Sequence, residues 1–168
     1  APTLILAAGT GIVRFPEAGA LPVVSARGQV SLLPAAAGSP PRVVVCCGGY
    51  VSPEIDGLRC AGATFAVDDA DPALRSADHA ENLNKLDNML PGAGQGFDAA
   101  QLDGRVGFRP ASPDRLPMVG ALDAGNQLFA LSGFGARGLV WSMLVAEHLA
   151  SQLEGEPLPL ERGLADAI

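Results

Sequence analysis

Residues 3–8 (TLILAA) are a short unbroken apolar run ending on Gly9-Thr10-Gly11. That pattern predicts a strand buried on both faces and closed by a glycine turn. Residues 22–33 are β-rich, and 35–41 (AAAGSPP) read as a loop. Arg42 to Cys47 predicts a strong strand stopped by Gly48-Gly49, with Cys46 and Cys47 on opposite faces as core residues. Leu58 to Val67 predicts another strand, entered through a hairpin turn at Asp56-Gly57. Ser76 is a good helix N-cap, with Asp78 in the first turn. His79, Leu83, Leu86 and Leu90 then line one helix face until Pro91-Gly92 ends it, and residues 92–96 are loop. Arg105 to Arg109 predicts a short strand before a Pro-rich segment at 110–117, and Leu128 to Ser132 another. Leu139 to Leu153 predicts a helix that is apolar nearly all round in its first two turns, hence deeply buried there, and capped by Gly155. This order predicts an α+β fold: a mostly antiparallel (mixed) sheet with few helices.

Composition narrows the class. The chain has 168 residues with 21 glycines and 14 prolines, yet 48% of it is hydrophobic. Disorder, collagen and coiled coil are excluded, and one domain or little more is expected. The net charge of −7 is uneven. Residues 54–103 hold ten acids against Arg59, Arg75 and Lys85, while the rest is balanced. An acidic chain argues against this piece alone gripping nucleic acid. Three cysteines without a C-x-x-C spacing support neither a zinc ribbon nor a thioredoxin-like site, and point to a reduced, cytoplasmic protein. No run has the length of a membrane span, and no acid/His cluster suggests a metal. The first residues lack both an initiator Met and a basic leader, so the chain reads as a fragment.

Two constellations carry candidate chemistry. Leu128–Ser132, then GFGARG at 133–138, then the last helix form a strand–glycine loop–helix unit. Free N–H groups at such a helix start favour negative charge, and glycine lets backbone approach a flat ligand. Gly133, Gly135 and Gly138 match G-x-G-x-x-G, but no second strand follows, and such a loop is also an ordinary tight turn. Arg105, Arg109, Arg115 and Arg137 fall within 33 residues. A guanidinium fork suits a carboxylate, although Arg105 and Arg115 also fit surface pairs with Asp103 and Asp114. Arg109, on the Gly107 face and before Pro110, is the one placed to point into a cleft. Tyr50, the only tyrosine, is a pocket candidate or plain packing. Neither histidine has a nucleophile partner at a telling spacing, so a hydrolase triad is unsupported.

In GFRPASPDRLPMVG, Gly107, Arg109, Pro110, Ser112, Asp114, Pro117 and Gly120 fit the pattern Gly-x-Arg-Pro-x-Ser/Thr-x-Asp-x-x-Pro-x-x-Gly. This resembles the late motif of the FAD-dependent amine and amino-acid oxidases of the D-amino-acid oxidase type. LILAAGTG, CAGATF (60–65) and LFALSGFGARGLVWSMLVAEHLA resemble further segments of that family, in the same order. LPVVSARGQVSLLP, RLPMVG and the AEHLASQLEGEPLPLE ending are similar to the C-terminal oxidase part of bifunctional tRNA-modifying proteins of this type. The departures are the missing dinucleotide fingerprint, the missing methyltransferase half, and Ser142-Met143 where relatives often have Ala-Pro.

The resemblance implies FAD as cofactor and oxidation of a C–N bond. The parent enzyme would convert carboxymethylaminomethyl-uridine at the tRNA wobble position to aminomethyl-uridine, releasing glyoxylate. It implies residues 1–15 and 120–168 as pieces of the FAD domain and 16–119 as the substrate domain. The isolated chain is then expected to lack the adenine and pyrophosphate site and to be inactive without the missing parts. Arg109 would hold the substrate carboxylate, with Tyr50 and Arg137 as further pocket residues. Gly9, Gly133, Gly135, Gly138 and Leu139 would face the flavin, whose pyrimidine edge gathers negative charge on reduction. The alternatives are a glycine- or sarcosine-type amino-acid oxidase and a flavin-free binding module.

Overall fold

The computed structural model describes residues 3–35, 41–125 and 127–168, so most of the loop expected at 35–41 lies outside the described residues. In chain order the elements are β1 (Leu4–Leu6), β2 (Val24–Pro34), β3 (Val45–Cys46), β4 (Tyr50–Val51), β5 (Leu58–Gly62) and β6 (Ala66–Val67). Then come α1 (Ser76–Met89), β7 (Asp103–Ala111), β8 (Met118–Ala121), β9 (Leu128–Ser132), α2 (Gly138–Glu154) and the short α3 (Arg162–Ala165). The chain divides into two compact units, Arg27–Gly107 and Ala1–Ala26 with Phe108–Ile168.

The Arg27–Gly107 unit is built on a sheet of order β3-β4-β5-β2-β6, with β7 also pairing β2. β2 and β5 run antiparallel from Val30 opposite Gly62 to Pro34 opposite Leu58, and β4 and β3 add on in the same antiparallel sense. Asp56 and Gly57 both take positive φ, 52° and 78°, as a two-residue type I′ hairpin requires. α1 lies on one face of this sheet, packing Leu83 and Leu86 against Leu33, Val51 and Ala61. Its start departs from the sequence expectation. Arg75, not Ser76, is the capping residue, because its N–H is drawn 2.9 Å to Oε1 of Gln29 on β2. Cys46 and Cys47 are exposed rather than core, and Val43 and Val44 are exposed ahead of them. Only Val45–Cys46 has a partner strand, so the expected strand at 42–47 shrinks to two residues. The expected strand 58–67 is likewise two short ones, β5 and β6.

The acidic stretch has a structural use here. Arg27, buried on β2, donates Nε to the Asp71 carbonyl (2.7 Å), Nη2 to the Ala73 carbonyl (2.6 Å) and Gln29 Oε1 (3.1 Å), and pairs through Nη1 with Asp78. Arg75 pairs with Asp69 and Asp71. These hydrogen bonds hold Asp69 and Asp71 below the usual carboxylate range, with Arg75 foremost for Asp69 and the Ala73 N–H foremost for Asp71. Nearby, the buried His79 meets Ser31 Oγ through Nδ1 at 2.7 Å, and Asn82 Nδ2 donates to the same oxygen at 3.1 Å. Burial pushes the His79 imidazole below its ordinary pKa.

The other unit holds a three-stranded sheet of order β1-β9-β8. β1 runs parallel to β9, Leu4 opposite Leu128 through Leu6 opposite Ala130, while β8 is antiparallel to β9. Leu6, Ile12, Ala18 and Ala130 form its core. Two burial expectations fail. β1 is an edge strand, and Leu4 and Ile5 are 55% and 42% exposed. The first turns of α2 are not buried: Leu139 is 95% exposed, and Val140 and Met143 are each 78%. Only the second half, through Val145, His148 and Leu149, enters the interior. α2 ends on Gly155 in the left-handed conformation (φ 70°), as the sequence suggested.

Candidate functional site

The end of β9 feeds directly into a tight glycine segment. Gly133 has φ 76°, and a Cβ there would sit 3.0 Å from Met118 Cε and 3.2 Å from the Leu116 carbonyl. Glycine is therefore required at 133 by the neighbouring β8 backbone as well as by its dihedral. Gly135 (φ 53°) differs, because the space where a Cβ would stand is open. Phe134 is bridged antiparallel to Ala111, which ties the glycine segment to the end of β7. Gly9 (φ 57°) lies beside the same strand end, its carbonyl facing Ser132 Oγ at 3.5 Å.

Between these segments lies a cleft of about 780 Å³. One wall is β7, where Phe108, Arg109 and Pro110 contribute. The other runs from Phe134 through Gly135, Arg137 and Gly138 into Leu139, Val140 and Ser142 of α2. Arg109 is half-buried. The first turn of α2 follows directly on a 3-10 turn at Gly135–Arg137 and has no side-chain cap hydrogen bond, so no side chain offsets the positive end of the helix dipole. Arg137 donates Nη2 to the Arg115 carbonyl at 2.7 Å.

The cleft thus gathers Arg109, Gly135, Arg137, Gly138 and Leu139. Gly133 and Gly9 adjoin it at the strand ends rather than lining it. Tyr50 belongs to the Arg27–Gly107 unit, on β4, where its hydroxyl stands 3.7 Å from Cys60 Sγ. The surface pairs expected for Arg105 and Arg115 do not form among the described residues. Asp114 instead accepts the Leu116 N–H at 2.9 Å, the foremost cause of its lowered pKa. Sequence reasoning missed Phe108 and Phe134 as cleft walls. Their positions flanking Arg109 and Gly135 were the available signal.

Residues 1–152 match the family described as FAD-dependent oxidoreductase. The chain belongs to that family. Within this oxidoreductase family it is 64% identical to the tRNA 5-methylaminomethyl-2-thiouridine biosynthesis bifunctional protein MnmC of an Azoarcus species. It is 42% identical to the protein of the same name from Burkholderia multivorans. Both alignments cover the whole chain and 29% of the relative, so the chain spans under a third of these curated relatives. Among solved structures it resembles glycine oxidase from Geobacillus kaustophilus, with a TM-score of 0.77 at 20% identity over 97% of this chain and 44% of that one. Iminodiacetate oxidase from a Chelativorans species gives 0.74 at 27% identity over 96% and 44%. The first of these likenesses is one of fold.

FAD is the cofactor of this oxidoreductase family, and the cleft suits part of it. The N-terminal turn of α2, without a side-chain cap, sets the positive end of the helix dipole where an electron-rich edge would lie. The open space at Gly135 admits a flat ring against the backbone, and Phe108, Phe134 and Leu139 offer apolar walls. Among the described residues no group of acids, histidines and cysteines is placed to hold a metal, and no helix is long and apolar enough to cross a membrane.

Proposed function

We propose that this chain supplies the substrate-carboxylate contact and the pyrimidine-side flavin contact of an FAD-dependent amine oxidoreductase. The complete protein would convert carboxymethylaminomethyl-uridine in tRNA to aminomethyl-uridine, releasing glyoxylate. The observation that carries the reading is the cleft that joins Arg109 to the uncapped start of α2, in a chain closely similar to MnmC proteins. When bound, FAD supplies the oxidant for the C–N bond beside the carboxylate, after which water releases the aldehyde acid.

In this reading Arg109 clamps the carboxylate by two parallel hydrogen bonds, which fixes the adjacent carbon against the cleft floor. The N–H groups at Gly138 and Leu139 face the flavin edge where charge develops, and Arg137 adds positive potential beside them. Gly9 and Gly135 keep the backbone low. The substrate domain, expected at residues 16–119, would have its body in the compact unit of residues 27–107, with Tyr50. Residues 1–15 and 120–168, in the other compact unit, would complete the flavin domain.

The test is glyoxylate release from tRNA bearing the carboxymethylaminomethyl group, using the protein at its natural length. Arg109→Ala should raise KM by about 30-fold, the equivalent of ~2 kcal/mol for removing a charge-assisted hydrogen bond at a half-buried site. Arg109→Lys, which keeps the charge but not the fork, should recover part of that deficit. Wild-type kinetics in Arg109→Ala would remove this residue from the site. Turnover of free glycine in place of the modified tRNA would overturn the substrate assignment.

A further inference from the structure

Only some of the chain's cations meet carboxylates among the described residues. In the Arg27–Gly107 unit, Arg27, Arg75 and Lys85 are engaged with carboxylates, while Arg42, Arg59 and Arg105 form no ion pair among the described residues. At the cleft of the other unit, Arg115 and Arg137 are exposed and form no ion pair among the described residues. The acid next in sequence, Asp114, is turned onto the Leu116 N–H. Ser112 closes the same turn by donating its hydroxyl to the Leu116 carbonyl (2.5 Å) and accepting the Arg115 N–H on its own carbonyl (3.2 Å). This holds Arg115 at φ 65°, a left-handed conformation that a long side chain seldom adopts. Arg137 then braces the Arg115 carbonyl from the cleft wall. Arg137, on the cleft wall, and the exposed Arg115, whose carbonyl it holds, thus have no carboxylate partner among the described residues.

A small carboxylate substrate needs one fork, and Arg109 supplies it. A second pair of cations outside the cleft suits a substrate whose anionic groups continue beyond the carboxylate. With a net charge of −7, the chain as a whole repels a polyanion, so recognition of one needs a local cationic rim.

We propose that Arg115 and Arg137 form a phosphate-binding rim that grips the ribose-phosphate backbone of the RNA flanking the nucleotide whose modified base enters the cleft. This rests on the oxidation of a tRNA-borne amine proposed above.

The experiment measures tRNA binding by fluorescence anisotropy across a salt series, in the protein at its natural length, alongside glyoxylate release. The variants are Arg115→Glu, Arg115→Lys and, as an exposed control on α3, Arg162→Glu; thermal melts check that each folds. Arg115→Glu should weaken tRNA binding by tenfold or more. It should also flatten the plot of log affinity against log salt by about 0.7, the share of one single-strand phosphate. Arg115→Lys should keep the wild-type slope, and Arg162→Glu should match wild type throughout. If Arg115→Glu keeps wild-type affinity and slope while the wild type releases glyoxylate, the rim is refuted and the oxidase reading stands. If binding depends on Arg115 but no glyoxylate forms, the rim stands and the oxidase reading falls. A wild type that neither binds tRNA nor releases glyoxylate overturns both.

Discussion

Arg27→Met is the most informative perturbation of the scaffold. Met fills most of the same buried volume but removes every polar atom of the guanidinium. Three carbonyl or amide acceptors and the Asp78 carboxylate would then be left without their donor. Breaking one partner of a buried pair costs about 3–5 kcal/mol. Asp78 keeps 17% exposure, so water takes over part of its solvation, which places the expected destabilisation near the lower end, ~3 kcal/mol. For a chain of this size that is a fall of about 6–12 °C in Tm. Thermal and urea melts give the magnitude. Hydrogen exchange gives the location: amides around residues 69–78 should lose protection before those of β2 and β5, because the guanidinium ties that acidic segment to the sheet. Arg27→Lys should fall between. A destabilisation below ~1 kcal/mol in Arg27→Met would refute the claim that Arg27 clamps this segment.

Acid should weaken the Arg27–Gly107 unit in two stages. The His79 pKa is lowered on folding, so below the unfolded value near 6.5 the unfolded chain binds the extra proton and stability falls. Urea midpoints at pH 7.5 and 5.5 should show that drop, and His79→Asn should flatten it. Asp69 and Asp71, lowered by their hydrogen bonds, add a second decline as pH falls below about 4, read on the same curves. Gly133→Ala should destabilise by ~2–4 kcal/mol, from left-handed strain plus a methyl against the Leu116 carbonyl; a melt within about 2 °C of wild type would contradict the packing described.

What the sequence revealed depended on how local each determinant is. Asp56-Gly57 was legible because two positive φ angles are a property of the dipeptide itself. β9, α2 and the Gly155 cap followed from short apolar runs and one glycine. The start of α1 was misread because the deciding hydrogen bond, from the Arg75 N–H to Gln29 Oε1, spans 46 residues. β8 went unseen because Pro113 and Pro117 made its approach look like loop. Only the antiparallel match of Met118–Ala121 to Ser132–Phe129 shows the strand. Burial was the weakest inference. Apolarity at Leu139, Val140 and Met143 says that water is disfavoured there, not which atoms replace it. In the candidate site, Arg109 and the glycine loop stood out by residue type. The unpaired Arg115 did not, because sequence proximity to Asp114 suggested an ordinary surface pair.

The exposed start of α2 has a practical side. Leu139, Val140 and Met143 form a greasy knob, and β1 offers a strand edge with Leu4 and Ile5 uncovered. Purified by itself, this stretch of polypeptide should bind hydrophobic dyes and self-associate as its concentration rises. Lysines at 139 and 143 would make it better behaved in the test tube. The same two changes, carried into the complete protein, would set charges beside the proposed flavin contact, so the surface that makes the piece hard to handle is one that a solubility screen should leave alone.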